Sequence, residues 1–195
     1  MKRISILSVV VLLVITFSGC GGLRYSQVIP EAKDYHPKRI GVFPVDVGTY
    51  EEARGKIDEV IAGVLVDKGW FTKVVTSDTI SKQIQTSKEF RTVYLDYISK
   101  LTAVNFSDPE LSKKIGEIIE VDTFLVTNLE YWNYTTADDD KVAKVDVGIK
   151  MIDAASGIIL WKAGHQEVKS YMLIKPKLPD VAKDLVKKMI KEMPH

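Results

Sequence analysis

A chain of 195 residues with one cysteine cannot close a disulfide on itself, so its stability has to come from a packed core. Histidine is almost as scarce. His36, His165 and His195 are the only three, and none has a His-x-x-x-His partner or a neighbouring cysteine, so no metal site is expected. Neither sign of charge dominates. The 27 basic residues stand against 26 acidic ones, which excludes the strong basic surplus of a nucleic-acid binder. Gly19, Gly21 and Gly22 do not sit in a strand-to-helix turn, so no phosphate-cradling loop is present and no cofactor is expected. Ser156 precedes a glycine but lacks the Gly-x-Ser-x-Gly elbow, and Ser156 with His165 does not read as a hydrolase pair. Asp138-Asp139-Asp140 lacks the glycine and the distal glutamate of a calcium loop, and reads as a solvated hairpin tip. The chain therefore reads as non-enzymatic. Long apolar runs are also missing. The longest, Ile4 to Phe17, has 14 positions and is interrupted by Ser5, Ser8 and Thr16. A membrane-spanning helix needs ~20.

What is present begins at the N-terminus. Lys2 and Arg3 precede the apolar run, and Ser18 and Gly19 follow it, which is the layout of a secretory signal. Phe17-Ser18-Gly19-Cys20 resembles the lipobox of bacterial lipoproteins, with Phe17 where leucine is usual. The resemblance implies cleavage before Cys20, a diacylglyceryl group on its thiol and an acyl chain, commonly palmitate, on its freed amine. Several chains make a stable anchor where a single one binds only marginally. Gly21 stands where aspartate would retain an enterobacterial lipoprotein in the inner membrane, so the expected location is the outer membrane, facing the periplasm. Cleavage also removes Lys2 and Arg3, which leaves 25 basic residues against 26 acidic ones. The expected organisation is a signal peptide over 1–19, a flexible tether over 20–37 and a single α/β domain over 38–195.

Lys38 to Asp46 reads as a strand rich in β-branched residues, and Pro44 marks its end or an edge. Thr49-Tyr50-Glu51-Glu52 has capping-box spacing, and Ile57, Val60, Ile61, Val64 and Leu65 share one helical face that stops at Gly69. Trp70 to Thr76 is a second strand. Ser77 or Asp78 caps a helix with Ile80 and Ile84. Phe90, Val93, Tyr94, Tyr97, Ile98 and Leu101 follow at helical spacing, and Pro109 opens a fourth helix. The period then changes. Thr123 to Tyr134 is strand-like, and Val145, Val147, Ile149 and Met151 alternate with Lys144, Asp146, Gly148 and Lys150, a strand buried on one side only. Asp153 to Gly157 is a turn with Gly157 at a positive-φ position, and Ile158 to Val168 returns as a strand. Pro179 to Met193 closes the chain as a helix. The prediction is an α/β fold with a mixed sheet of about five strands, in the order β-α-β-α-α-α-β-β-β-α.

Three stretches carry a family resemblance. They are Ile40 to Asp46, Leu65 to Ile84 with Gly69-Trp70-Phe71-Thr72-Lys73-Val74-Val75, and Asp146 to Trp161 with its Ile152-Asp153-Ala154-Ala155-Ser156-Gly157 hairpin. In that order, behind a lipobox, they resemble the envelope lipoproteins related to the curli-secretion channel lipoprotein, the penicillin-binding-protein activator lipoprotein and small neisserial-type surface lipoproteins. Their shared domain is similar to the TolB N-terminal domain. The likeness covers most of residues 38 to 170. Thr127-Asn128 stands where that family often has glycine, and residues 86 to 107 look like a helical insertion. No pair of long alternating strands of the curli channel's kind is evident.

The expected function is a non-enzymatic docking or assembly subunit of an envelope complex, with an envelope protein partner. A homo-oligomeric export component is the alternative, and an envelope polymer hydrolase a remote one. Cys20 is the expected lipidation site. Tyr131, Trp132 and Tyr134 form one candidate partner surface, and Tyr94 and Tyr97 on the inserted helix form a second, because aromatic residues dominate binding hot spots.

Overall fold

The computed structural model describes residues 23–137 and 139–195. Cys20 and the expected signal peptide lie outside the described residues. Six strands are formed: β1 (Tyr25–Val28), β2 (Arg39–Val42), β3 (Lys73–Val75), β4 (Thr123–Ala137), β5 (Asp140–Asp153) and β6 (Ile159–Ser170). The helices are α1 (Lys56–Lys68), α2 (Ser77–Thr86), α3 (Lys88–Val104), α4 (Pro109–Ile119) and α5 (Leu178–Ile190). The strands make one mixed sheet in the order β1-β6-β5-β4-β2-β3. The expected α/β class and helix order hold.

The β-branched run at Ile40 and Val42 sits in the sheet interior, parallel to β3 on one side and to β4 on the other. Pro44, which cannot donate to a ladder, falls just past the end of β2. From β4 onward the chain is an antiparallel meander. Helices α1 and α5 pack on one face through Ile57, Ile61, Leu65, Val181, Leu185 and Met189, against Val145, Ile149, Met151 and Trp161. Helices α2, α3 and α4 cover the other face only around β2, β3 and the first part of β4, where Ile80, Phe90, Tyr97 and Ile115 surround Phe43 and Phe124. Each fully buried large side chain stabilises by ~1.5–3 kcal/mol, and these two cores do the work that a disulfide-free chain requires.

Local chemistry explains the element ends. Asp108 accepts from the backbone N–H of Glu110 and Leu111 and starts α4 with Pro109 behind it. Gly69 ends α1 at φ 66°, and Gly157 turns β5 into β6 at φ 71°. The Thr49–Glu52 spacing does not open a helix. It marks one 3₁₀ turn, Glu51–Ala53, and α1 begins later, after Gly55 at φ 76°. The cap is Asp58, buried inside the first turn of α1. Its carboxylate accepts from Gly55 N at 3.1 Å and from Val45 N at 2.9 Å, tying the helix to the segment after β2.

Three further features depart from the sequence expectation. First, the sheet has six strands because residues 25–28, expected within the tether, pair antiparallel with β6. All four are exposed, so β1 has no hydropathy signature. It is held by backbone bonds and by Trp161 Nε1, which donates to Ser26 Oγ at 3.0 Å. Second, β4 and β5 are longer than expected, at 15 and 14 residues. Third, β4 carries a bulge. Leu129 lies opposite Val147, but Tyr131 lies opposite Asp146, leaving Glu130 as the extra residue. The bulge shifts the alternation by one, so even-numbered Trp132 joins odd-numbered Leu125 and Leu129 in the same core.

Candidate functional site

Beyond the reach of α2–α4, no described helix covers one face of the meander. Lys144, Asp146, Gly148 and Lys150 of β5 point there, as their alternation with buried neighbours requires. The middle of this face is a row of small residues. Gly148 and Gly164 are partners across β5 and β6. The Tyr25 ring covers Gly164 so closely that a Cβ there would sit 2.3 Å from it, and the Asn128 side chain covers Gly148 in the same way at 2.6 Å. Only glycine leaves room for these two side chains to lie flat on the sheet.

Arg24 clamps the adjoining row. Its guanidinium donates to Asp146 Oδ2 and to Glu130 Oε2, both at 2.9 Å, and its backbone N–H donates to His165 Nδ1 at 3.2 Å. Asp146 is only 6% exposed, and its Oδ1 has no hydrogen-bond partner among the described residues. Burial raises the pKa of the Asp146 carboxyl above its ordinary value, and the Glu130 charge adds to that, while Arg24 opposes it. Burial lowers the pKa of His165, in keeping with a neutral ring that accepts from Arg24.

Where this open face meets α3 there is a cavity of about 490 Å³, lined by Pro44, Asp46, Arg54, Tyr94, Ile98, Leu101, Asn128 and Lys150. Lys150 Nζ donates to Asn105 Oδ1 at 2.8 Å. Burial, then Lys162, pushes its pKa down. A second cleft, of about 590 Å³, opens at the other end of the sheet beside Tyr35, Arg39, Lys113, Asp122 and Asp153. The Tyr35 hydroxyl lies 2.9 Å from both Asp153 Oδ1 and the Asp122 carbonyl, and donates its one proton to either. Asp122 accepts from the Lys38 and Arg39 amides and from the Arg39 guanidinium. Burial works against its charge, but these donors outweigh it and hold its pKa below 3.8. These pairings are structural. They leave charged and polar side chains lining both hollows.

The expected aromatic surface divides in two. Tyr131 lies on the open face, with Lys144 Nζ 5.0 Å above its ring and Tyr50 at 5.8 Å. Tyr134 is half-buried and donates from its hydroxyl to the Pro176 carbonyl at 2.8 Å. Trp132 is buried against α1 and α5, a correction to its assignment as surface and a direct result of the bulge. Tyr97 is likewise buried, its hydroxyl 2.8 Å from Ser107 Oγ. Tyr94 is half-buried beside Phe43 and Phe90 and reaches the cavity at its edge. Cys20 lies outside the described residues. His36 donates to the His195 carbonyl, His195 stacks on Trp70, and Ser156 bonds to Asp153 in the hairpin turn. Among the described residues no three His, Cys, Asp or Glu side chains converge as a metal site needs, and no helix is long and apolar enough to cross a membrane. Sequence reasoning missed Arg24, Tyr25 and the Gly148–Gly164 pair. The one signal for them was glycine inside the β5 and β6 strand patterns, which marks close approach of another group.

No protein-family model and no curated protein matches the chain. Solved structures do. The PelC dodecamer from Paraburkholderia phytofirmans superposes with a TM-score of 0.56 at 14% identity, over 88% of this chain and 98% of that one. A variant of that dodecamer gives 0.52 at 14% identity, over 87% and 94%. A lipoprotein from Neisseria meningitidis gives 0.49 at 14% identity, over 80% of this chain and all of that one. At this level of identity the likeness is one of fold, and the fold of this chain is the one seen in PelC.

Proposed function

We propose that this chain is an envelope lipoprotein, anchored through acyl chains on Cys20 to the outer membrane and facing the periplasm, that acts as a non-enzymatic docking or assembly subunit. Its kinship with the curli-secretion and penicillin-binding-protein activator lipoproteins is part of the same proposal. The observation that carries it is the uncovered face of the meander, a braced, polar, glycine-seamed sheet surface with Tyr131 and Lys144 at its edge. Surfaces of this composition suit recognition more than catalysis. The lipobox-like Phe17-Ser18-Gly19-Cys20, close before the first strand, supports the anchor. Mass spectrometry of the mature N-terminus is expected to find acylated Cys20. Crosslinking in intact cells is expected to capture an envelope protein through the open face. An unmodified Cys20, or a measurable hydrolytic turnover with no captured partner, overturns the reading.

The fold shared with the PelC dodecamer favours one specific form of this role, a ring of copies. Sizing of the detergent-extracted chain tests it, and a strict monomer removes the ring while leaving the docking role.

A further inference from the structure

Most exposed apolar residues on this domain occur singly, which is ordinary for a protein surface. The loop between β6 and α5 is different. Met172, Leu173 and Ile174 are consecutive and 93%, 98% and 87% exposed. No described residue covers them, yet the loop that carries them is braced. Tyr171 N donates to the Lys141 carbonyl at 2.9 Å, and Tyr134 donates to the Pro176 carbonyl at 2.8 Å. The Tyr134 and Tyr171 rings meet edge to face at 6.0 Å, and Lys175 Nζ sits 3.5 Å over Tyr134. An apolar tip above a collar of tyrosine and lysine matches the layering of a membrane interface, where hydrocarbon lies below and headgroups lie beside amphipathic side chains.

The register of β1 says which surface this tip meets. Tyr25 is opposite Gly164, and β1 runs antiparallel to β6, so the chain before Tyr25 enters from the Ser170 end of β6. Cys20 is five residues before Tyr25, a reach of at most about 17 Å. From Gly164 to Ser170 is about 20 Å of strand. Acyl chains on Cys20 can thus enter a bilayer at the same end of the sheet that presents Met172, Leu173 and Ile174. The same end carries Lys141, Lys175 and Lys177, as well as the acidic turn at Asp139 and Asp140. The apolar tip, more than the charge, favours lipid.

We infer that Met172-Leu173-Ile174 is a second membrane contact, inserted in the leaflet that holds the Cys20 lipid. This rests on the lipoprotein reading above. Two attachments at one end fix the direction of the domain. The long axis of the meander stands away from the bilayer, the open face lies along its side, and the cleft at Tyr35 and Asp122 is presented farthest into the aqueous space.

The test uses the full chain extracted from membranes and reconstituted in phosphatidylethanolamine–phosphatidylglycerol vesicles, with and without bromine on the acyl chains. Leu173→Trp adds an indole at the tip. Trp70, Trp132 and Trp161, read from the unaltered protein, supply the background. The expected result is an added, blue-shifted emission that brominated lipid quenches and that Met172→Asp with Ile174→Asp abolishes. Emission that brominated lipid leaves unquenched overturns the inference, whether it is blue-shifted by contact with a second copy or red-shifted in water. Mass spectrometry of Cys20 on the same sample reports the anchor separately. A lipidated, unquenched protein sinks the loop contact and leaves the lipoprotein reading standing, and a quenched protein without lipid at Cys20 does the reverse.

Discussion

Around Phe124 the sheet has helices on both sides, whereas around Gly148, farther along the same meander, it has helices on one. In the first region Phe43 stacks on Phe124 at 4.4 Å, with Tyr97 edge-on at 5.6 Å, and Ile115, Ile119 and Ile152 are buried around them. In the second, the uncovered side is finished with glycine, an arginine clamp and two side chains lying flat. The contrast teaches where the sheet is closed and where it is left open. The doubly covered region is packed with apolar side chains on both faces, whereas the singly covered region has its core on one face and polar side chains on the other.

Mutations in the two regions should therefore behave differently. Phe124→Ala removes the centre of the doubly covered region and is expected to cost ~3–5 kcal/mol, read from denaturant midpoints. A cost no larger than that of a surface change would erase the distinction. Gly116→Val tests the border. A Cβ at Gly116 would lie 2.6 Å from the Ala154 Cβ and 3.3 Å from the Val121 carbonyl, so α4 must lift from the β5–β6 turn, at ~1–3 kcal/mol. Smaller again is Asp122→Asn, expected to cost about 1 kcal/mol given the partial exposure of the pair with Arg39. Because the folded pKa of Asp122 is depressed, its contribution is present above the ordinary value of 3.8 and is lost as pH falls through the folded value. The gap between wild type and variant should then close in strong acid. A gap that persists there would assign the loss to packing. On the open face, Tyr131→Ala is expected to change stability by no more than about 0.5 kcal/mol while weakening crosslinked partner capture. Unchanged capture would move the docking surface elsewhere.

Much of the doubly covered region could be read from the sequence. Pro109, Gly69 and Gly157 mark real element ends, and the alternation from Lys144 to Met151 gives the correct inner and outer faces of β5. What escaped the reading involves pairing at a distance. The bulge at Glu130 inserts one residue without altering hydropathy, so Tyr131, Trp132 and Tyr134 look equivalent although Trp132 is core. The cap on α1 comes from Asp58, whose second partner, Val45, lies 13 residues earlier, and the nearer Thr49–Glu52 pattern misleads. β1 owes its existence to β6, and no local propensity of Tyr25–Val28 announces it. The candidate site inherits these blind spots, since its Arg24 clamp and Tyr25 cover arrive with that strand.

The four-residue pairing of β1 with β6 also has a mechanical consequence. Ladder hydrogen bonds lie across the strands, so a pull on the N-terminus along the strand loads all of them together, as a lap joint is loaded in shear. A pull away from the sheet edge loads them one after another, as a seam is peeled. A domain held by its N-terminus through such a joint resists a pull along the strand and yields first to one across it.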